Sequence, residues 1–599
     1  MRLLPAAIAA ALLGALAGAI WLIVAYSYNP AIHLRPDGQR ARLVTGFYAR
    51  EAGPSGEFTW TTDRAKLTLT GLDRRARWTC NARVQAGRPE DVPLPLLTVV
   101  ADGTTAARRQ VGNSWETIAF EVPPQPGGRG LALELVVTPS FVPVTADTRE
   151  LGVMVDVIEC RPAPGSPVLP PPYSSRHAAT TAAVLGGAVA LAGVTPGSAI
   201  GAAVAIAAVQ SLPLSTGTAP YSDYPGNSAW LALAVGIALV AGIGIANRSS
   251  PRPLRNTARF AAIFTAAVAY FRLLGLMHPD VAAGGVAGCA RKVEALLAEE
   301  FPALVTAPET LTDGLTLVFV ASPFALLAHP ATVLLAFAVA ADAAAALWLY
   351  GMVTRAWGDR LLASATVAIY NLVPLAFDTL ASGRLSVAFG QSLAAVAMAL
   401  VARTSVRLSP AGPFAGLTAL LLAAFLANFG TLVVLASASM AAAILYRIRG
   451  GPGLQDIAPR LAASVGAAAA VAVVFYLLGS NPPEGGSGPA GPVHGGDPFG
   501  FPLLLLATVG AWRAMRTPLT DRLSLTLAAW VLGATGCWVA AALAGLSLPA
   551  VLALAPPLSV LAAVGARWMW RGGPVRRMVV IILLAGTVGV ATVNWRGWL

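Results

Sequence analysis

Ionisable and amide side chains in this sequence collect in a few short stretches whose residue types suit acid–base and phosphate-binding chemistry. The first reads His278-Pro279-Asp280, followed by Arg291, Lys292, Glu294, Glu299 and Glu300, then Phe301-Pro302. A second, Tyr221-Ser222-Asp223-Tyr224-Pro225, sits in a polar loop at 214–227. In a third, Asp378 and Arg384 flank a short turn just before Phe389-Gly390-Gln391, and Asn428 ends a later apolar run. A carboxylate such as Asp223 or Asp280 can accept a proton from an attacking hydroxyl. Cations such as Arg291 and Lys292 can neutralise a phosphate, with His278, Asp378, Arg384 and Gln391 as further substrate contacts. Each residue also has a plainer role available. Asp280 can cap the helix that follows, Arg291, Glu294 and Glu299 lie near helical spacing as the wet face of an interfacial helix, and Asp223 suits a turn before Pro225.

The elements that must hold these residues are mostly apolar. The 599 residues are 56% hydrophobic and only 12% charged, with mean hydropathy +0.67, about half the charge of a soluble protein. Apolar runs of about 17 to 23 residues recur, each long enough to cross a hydrocarbon core about 30 Å thick. Their backbone groups can be satisfied there only within helices. The expectation is a polytopic α-helical membrane protein with about 15 transmembrane helices. The first covers 1–28 and the rest lie in a multi-spanning domain at 177–599. The run 311–328, interrupted by Asp313, Gly314 and Pro323, is left open as a span, a re-entrant piece or a buried half-helix.

Arginines support this map. Arg248, Arg252, Arg255 and Arg259 share one loop, Arg403 and Arg407 another, and Arg447, Arg449 and Arg460 a third. Alternating the spans from a cytoplasmic N-terminus puts these clusters inside, provided 311–328 does not make a separate full crossing, as the positive-inside rule requires. The polar loops at 214–227, 278–310, 378–384 and 479–498 then fall outside. The net charge of +12 is explained by this bias. No basic patch interleaved with stacking aromatics points to nucleic acid.

Residues 29–160 differ in kind. Alternating runs such as Lys66–Leu69, Arg77–Cys80, Leu97–Val100, Trp115–Val122, Leu131–Val137 and Gly152–Ile158 are separated by turns such as Ala101-Asp102-Gly103. Period-two alternation at this spacing predicts an inserted antiparallel β-sandwich, extracytoplasmic on the map above. A Pro-rich linker at 161–176 returns the chain to the membrane. Of four cysteines, Cys80 and Cys160 lie near strand ends in this region, where a disulfide would close a long loop. Cys289 and Cys537 lie in or beside apolar segments, and no ligand cluster suggests a metal site.

Trp115-Glu116-Thr117-Ile118, Phe141-Val142-Pro143 and Arg149-Glu150-Leu151-Gly152-Val153 resemble the jelly-roll, carbohydrate-binding-like modules of bacterial envelope proteins. Leu274-Gly275-Leu276-Met277-His278-Pro279-Asp280, the later Arg291, and Leu385-Ser386-Val387-Ala388-Phe389-Gly390-Gln391 are similar to bacterial relatives of the C-type glycosyltransferase superfamily. This second resemblance loosely covers 178–450. It implies an enzyme of the bacterial plasma membrane that takes a sugar from a polyprenyl-phosphate carrier and passes it to an envelope glycan at the outer face. An external Asp or Glu then serves as general base, and an Arg or Lys neutralises the lipid phosphate. Here the β domain occupies the first external loop, no acidic pair follows the first span, and Val281–Ala290 is mostly Ala and Gly. The nearest equivalents are therefore Asp223 or Asp280 as base and Arg291 with Lys292 as phosphate clamp, with a divalent ion as a further aid. Two other functions compete: a non-catalytic envelope scaffold, and a lipid or solute transporter. The transporter predicts mid-span charge and broken helices, and Asp342 is its mid-span acid.

Overall fold

The computed structural model describes residues 3–28, 30–37, 43–53, 56–125, 130–143, 148–164, 168–249, 254–279, 281, 284–298, 315–403, 411–478, 499–516, 521–543 and 549–598. Candidate Asp280, the acids Glu299 and Glu300, and the loop at 479–498 lie outside them. The chain divides into two compact units, one of Met1–Ala241 with Met277–Asp280, the other of Gly242–Leu276 with Val281–Trp598.

The first unit carries the β domain. Ten strands run β1 (Ile32–Leu34), β2 (Val44–Phe47), β3 (Glu51–Gly53), β4 (Gly56–Thr70), β5 (Trp78–Gln85), β6 (Leu96–Ala101), β7 (Thr104–Gln110), β8 (Glu116–Val122), β9 (Gly130–Thr138) and β10 (Met154–Pro162). Every predicted run falls on a strand. The two sheets expected of a sandwich are, however, halves of one antiparallel path, β7-β6-β9-β4-β10-β5-β8. The long β4 makes this possible: Thr59 and Trp60 pair with β10, while Arg64 to Thr70 pair with β9. The end strands β7 and β8 touch without joining the ladder, so the sheet is nearly closed. Alternation buries one face, including Leu67, Leu69, Trp78, Val84, Leu97, Val99, Leu131 and Val155. Between β6 and β7, Asp102 and Gly103 both take positive φ (48° and 82°), as a two-residue hairpin turn demands. Cys80 and Cys160 stand opposite each other in the β5–β10 ladder and form the expected disulfide. Arg161 and Pro162 still belong to β10, and a helix begins at Pro172, so the linker is shorter than the sequence implies.

In the same unit the helices Leu3–Tyr28, Pro172–Leu191 and Pro196–Ser215 pack through small residues. A Cβ at Gly14 would stand 2.7 Å from the Ala182 carbonyl oxygen, and one at Gly18 2.7 Å from that of Ala178. Gly14 and Gly18 thus form a GxxxG face laid on Ala178 and Ala182, the spacing that lets helix backbones meet where lipid leaves no hydrophobic drive. Tyr26 and Tyr221 join the β core, their hydroxyls hydrogen-bonded to one another.

The second unit is helical. Across both units, twelve helices among the described residues are long and apolar enough to cross a bilayer, as in a multi-pass membrane protein. Two further apolar helices, Phe414–Ala427 and Phe501–Met515, are shorter. Pro172–Leu191 is not among the twelve. The described part of 311–328 holds a short helix, Thr316–Ala321, and a 3-10 turn, Ser322–Leu326. One of the twelve, Arg360–Ala381, is interrupted. It is a broken helix, Arg360–Asn371 and then Pro374–Ala381, because Pro374 lacks the N–H that would continue the first segment and excludes the α conformation before it.

Candidate functional site

In the second unit, two polar clusters adjoin this break. The first is charged. Arg272, on the helix Asn256–Leu276, forms an ion pair with Asp342, near the middle of Pro330–Trp357. Both are buried. The other guanidinium nitrogen of Arg272 donates to the Asn371 carbonyl at 2.9 Å, a group freed by the helix break. The Tyr370 hydroxyl donates to the second Asp342 oxygen at 2.6 Å. Asn371 Nδ2 donates to Val367 O at 2.9 Å and Thr265 Oγ1 at 3.2 Å. Every charge in this cluster has a partner, the condition under which ionised groups survive burial.

The second cluster lies along the next helix, Leu385–Arg403, and the start of Phe429–Arg449. Leu385 through Gln391 are all buried. Three buried polar atoms here have no hydrogen-bond partner among the described residues: Ser386 Oγ, Gln391 Nε2 and Thr431 Oγ1. Ser386 and Gly390 are one turn apart and share a face. A Cβ at Gly390 would meet Thr431 Oγ1 at 2.8 Å, so glycine draws the two helices together at the polar atoms. Other hydroxyls nearby close onto their own helix, as Ser392 does to Ala388 O at 2.8 Å. Unpartnered buried donors and acceptors are rare in folded proteins and call for a ligand, a water or an ion.

Asp378, on Pro374–Ala381, is largely buried and accepts a hydrogen bond from Asn594 Nδ2 at 2.8 Å. Beside it, the buried Trp595 Nε1 has no partner among the described residues and stands where a Cβ on Gly275 would come within 2.5 Å. Arg384, half-buried, ends the turn that leads into Leu385–Arg403.

The remaining expected residues fall elsewhere. His278 is buried in the first unit, 3.3 Å from Thr216 Oγ1 through Nε2 and edge-on to Tyr224 with ring centres 5.2 Å apart. Both contacts tie it to the 214–227 loop. Asp223 in that loop is exposed, and its carbonyl accepts from Asn227 at the start of the next helix, the turn role open to it from sequence. Arg291 is exposed and Lys292 half-buried on the helix Gly284–Leu297 in the second unit, consistent with a wet helix face. Among the described residues of 278–300, none of the unpartnered buried polar atoms is found.

A larger groove of ≈ 660 Å³ opens at Arg255, Thr257, Asp359 and Arg360. Its acid is already engaged: Asp359 accepts from Leu362 N–H at 3.0 Å and from Arg567 Nε at 3.1 Å. Burial pushes this carboxyl up, but the Leu362 N–H and the Arg567 guanidinium more than reverse that and leave it below the usual carboxylate range. Among the described residues, no group of three or more His, Cys, Asp and Glu side chains is placed to hold a metal ion. No protein-family model matches this chain, and no curated protein matches it either.

Proposed function

We propose that the protein is a glycosyltransferase-like membrane enzyme that binds a lipid-phosphate-linked sugar at the outer face of a bacterial plasma membrane and transfers it to an envelope acceptor. One observation carries this reading: the buried polar atoms without partners, Ser386 Oγ, Gln391 Nε2 and Thr431 Oγ1, fall on and against the 385–391 stretch that bears the resemblance. An oxygen-rich headgroup supplies the acceptors and donors such atoms lack, while its lipid tail stays among the helices. On this reading Asp378 takes the role of base that Asp223 and Asp280 were expected to fill, and Arg384 faces the phosphate. The arginine-rich loops then lie inside, and the β domain, with its likeness to jelly-roll modules, lies outside and meets the acceptor.

The test is envelope glycan analysis in cells producing Asp378→Asn, Thr431→Val or Asp223→Asn at wild-type membrane levels. The first two should lose the transferred sugar and the third should keep it. Normal glycans with both Asp378→Asn and Thr431→Val would defeat the proposal.

Transport is a second reading, favoured by one specific feature. A buried Arg272–Asp342 pair at a broken helix is the arrangement expected where a membrane protein moves a solute between helices. It predicts that Asp342→Asn abolishes uptake or export in vesicles while leaving envelope glycans unchanged.

A further inference from the structure

The groove of ≈ 660 Å³ at Arg255 and Arg360 belongs to neither polar cluster. Three helices of the second unit meet there: the start of Asn256–Leu276, the end of Pro330–Trp357 and the start of Arg360–Asn371. We propose that it binds one anionic phospholipid, whose phosphate sits between Arg255 and Arg360 while an acyl chain runs along the Asn256–Leu276 helix. Charge is the first argument. The carboxylate in the lining, Asp359, is held by Arg567 Nε at 3.1 Å and lies 3.8 Å from Arg571 Nη2, so it is already neutralised. Arg255 and Arg360 have no ion pair among the described residues. Two guanidinium groups are left to face an anion, and their forked N–H groups match phosphate oxygens.

Fixed geometry is the second argument. Thr257, also in the lining, ties the three helices together. Its hydroxyl lies 3.0 Å from that of Tyr350, and its carbonyl accepts from Ser364 Oγ at 3.2 Å. The groove is therefore built before a ligand arrives, which lowers the cost of binding. The third argument separates a lipid from a free anion. Asn256, Phe260 and Phe264 recur at four-residue spacing and share one helix face, so an aromatic stripe runs on from the groove. Phe260 is 48% exposed and stacks on Phe264 with ring centres 5.8 Å apart. Leu361, in the lining itself, is 56% exposed. Asn256–Leu276 is long and apolar enough to cross a bilayer. A basic groove that opens onto exposed apolar side chains of such a helix suits a phosphate joined to hydrocarbon. On the positive-inside rule the site belongs to the cytoplasmic leaflet. It is thus separate from sugar transfer at the outer face and does not depend on that reading.

Native mass spectrometry of the full chain, purified in detergent and titrated with dioleoyl phosphatidylglycerol or dioleoyl phosphatidylcholine, tests it. Phosphatidylglycerol should bind a first site several-fold tighter than phosphatidylcholine. Arg255→Gln and Arg360→Gln should each weaken that site about fivefold. Arg449→Gln, which changes an exposed arginine at the end of Phe429–Arg449, should leave it unchanged. Phe260→Ala should weaken it too, whereas millimolar inorganic phosphate should not displace the lipid. Equal affinities for the two lipids in the wild-type protein would overturn the proposal, and that comparison needs no variant to fold. So would a phosphatidylglycerol affinity unchanged in folded Arg255→Gln and Arg360→Gln proteins, or lowered as much by Arg449→Gln. Displacement by inorganic phosphate would assign the groove to a free anion and overturn the lipid.

Discussion

The two polar clusters of the helical unit differ in one respect that decides how each is understood. Around Asp342 every charged group is answered: Arg272 pairs with it, Tyr370 donates to it, and the carbonyl freed at the helix break accepts from Arg272. Around Gly390 three buried polar atoms are unanswered. A saturated cluster has served its purpose once the chain is folded, since it pins a broken helix among its neighbours. An unsaturated one carries a desolvation cost of roughly 1–3 kcal/mol per group, which a ligand can remove. On the proposed reading, the more conspicuous charges are structural and the quieter Ser, Gln and Thr mark the site.

The largest effect that would break this distinction is at Arg272. Arg272→Met leaves Asp342 buried without its partner and should cost about 3–5 kcal/mol, seen as loss of folded protein by size-exclusion profile and melting temperature. Adding Asp342→Leu should recover most of that loss, because an apolar pair avoids the desolvation of both ions. If the single variant is as stable as wild type, the cluster is not structural.

The second cluster predicts the opposite sign. Ser386→Ala and Thr431→Val remove unpartnered groups and should leave stability unchanged or raise it by up to about 1 kcal/mol each in the absence of substrate. A loss larger than that in thermal melts would mean these hydroxyls have partners within the fold.

The smallest effect concerns Asp359, whose partners lie in neither cluster. Its carboxyl is lowered in the folded protein, so its contribution is present above the unfolded value near 4 and is lost as pH falls through the lower folded value. Wild type should exceed Asp359→Asn by about 1 kcal/mol or less at neutral pH, and the difference should shrink as the pH falls through the folded value. A difference that persists in acid would place the effect in the helix cap and not in the Arg567 pair.

Much of the scaffold was legible in the residues. Alternation marked six runs that became strands, and the Asp102-Gly103 turn announced its hairpin. By contrast β7, Thr104–Gln110, passed unnoticed because it is exposed except at the half-buried Ala106 and Ala107 and does not alternate. Hydropathy located the helices but not the break before Pro374, although the proline was in view. Arg272 was missed as the partner of Asp342. The signal was available, since two opposite charges each stood inside an apolar run, but pairing across seventy residues needs the helices' rotation. The candidate site was read only in part. Asp378 and Gln391 were named from polarity, while Ser386 and Thr431 look like ordinary helix residues until their usual carbonyl partners are found not to be engaged. The cluster at 278–300 attracted attention through its charge, and charge on an exposed helix face needs no ligand.

The most direct test of the central claim is photo-crosslinking with a short-chain polyprenyl-phosphate sugar that carries a diazirine on the sugar, applied to the protein in nanodiscs and mapped by mass spectrometry. The account predicts adducts on 376–391 and near Thr431, reduced by Thr431→Val and Gln391→Leu and unaffected by Asp223→Asn. Adducts confined to 214–227 or 284–298, or none above a sugar-free lipid phosphate, would contradict it.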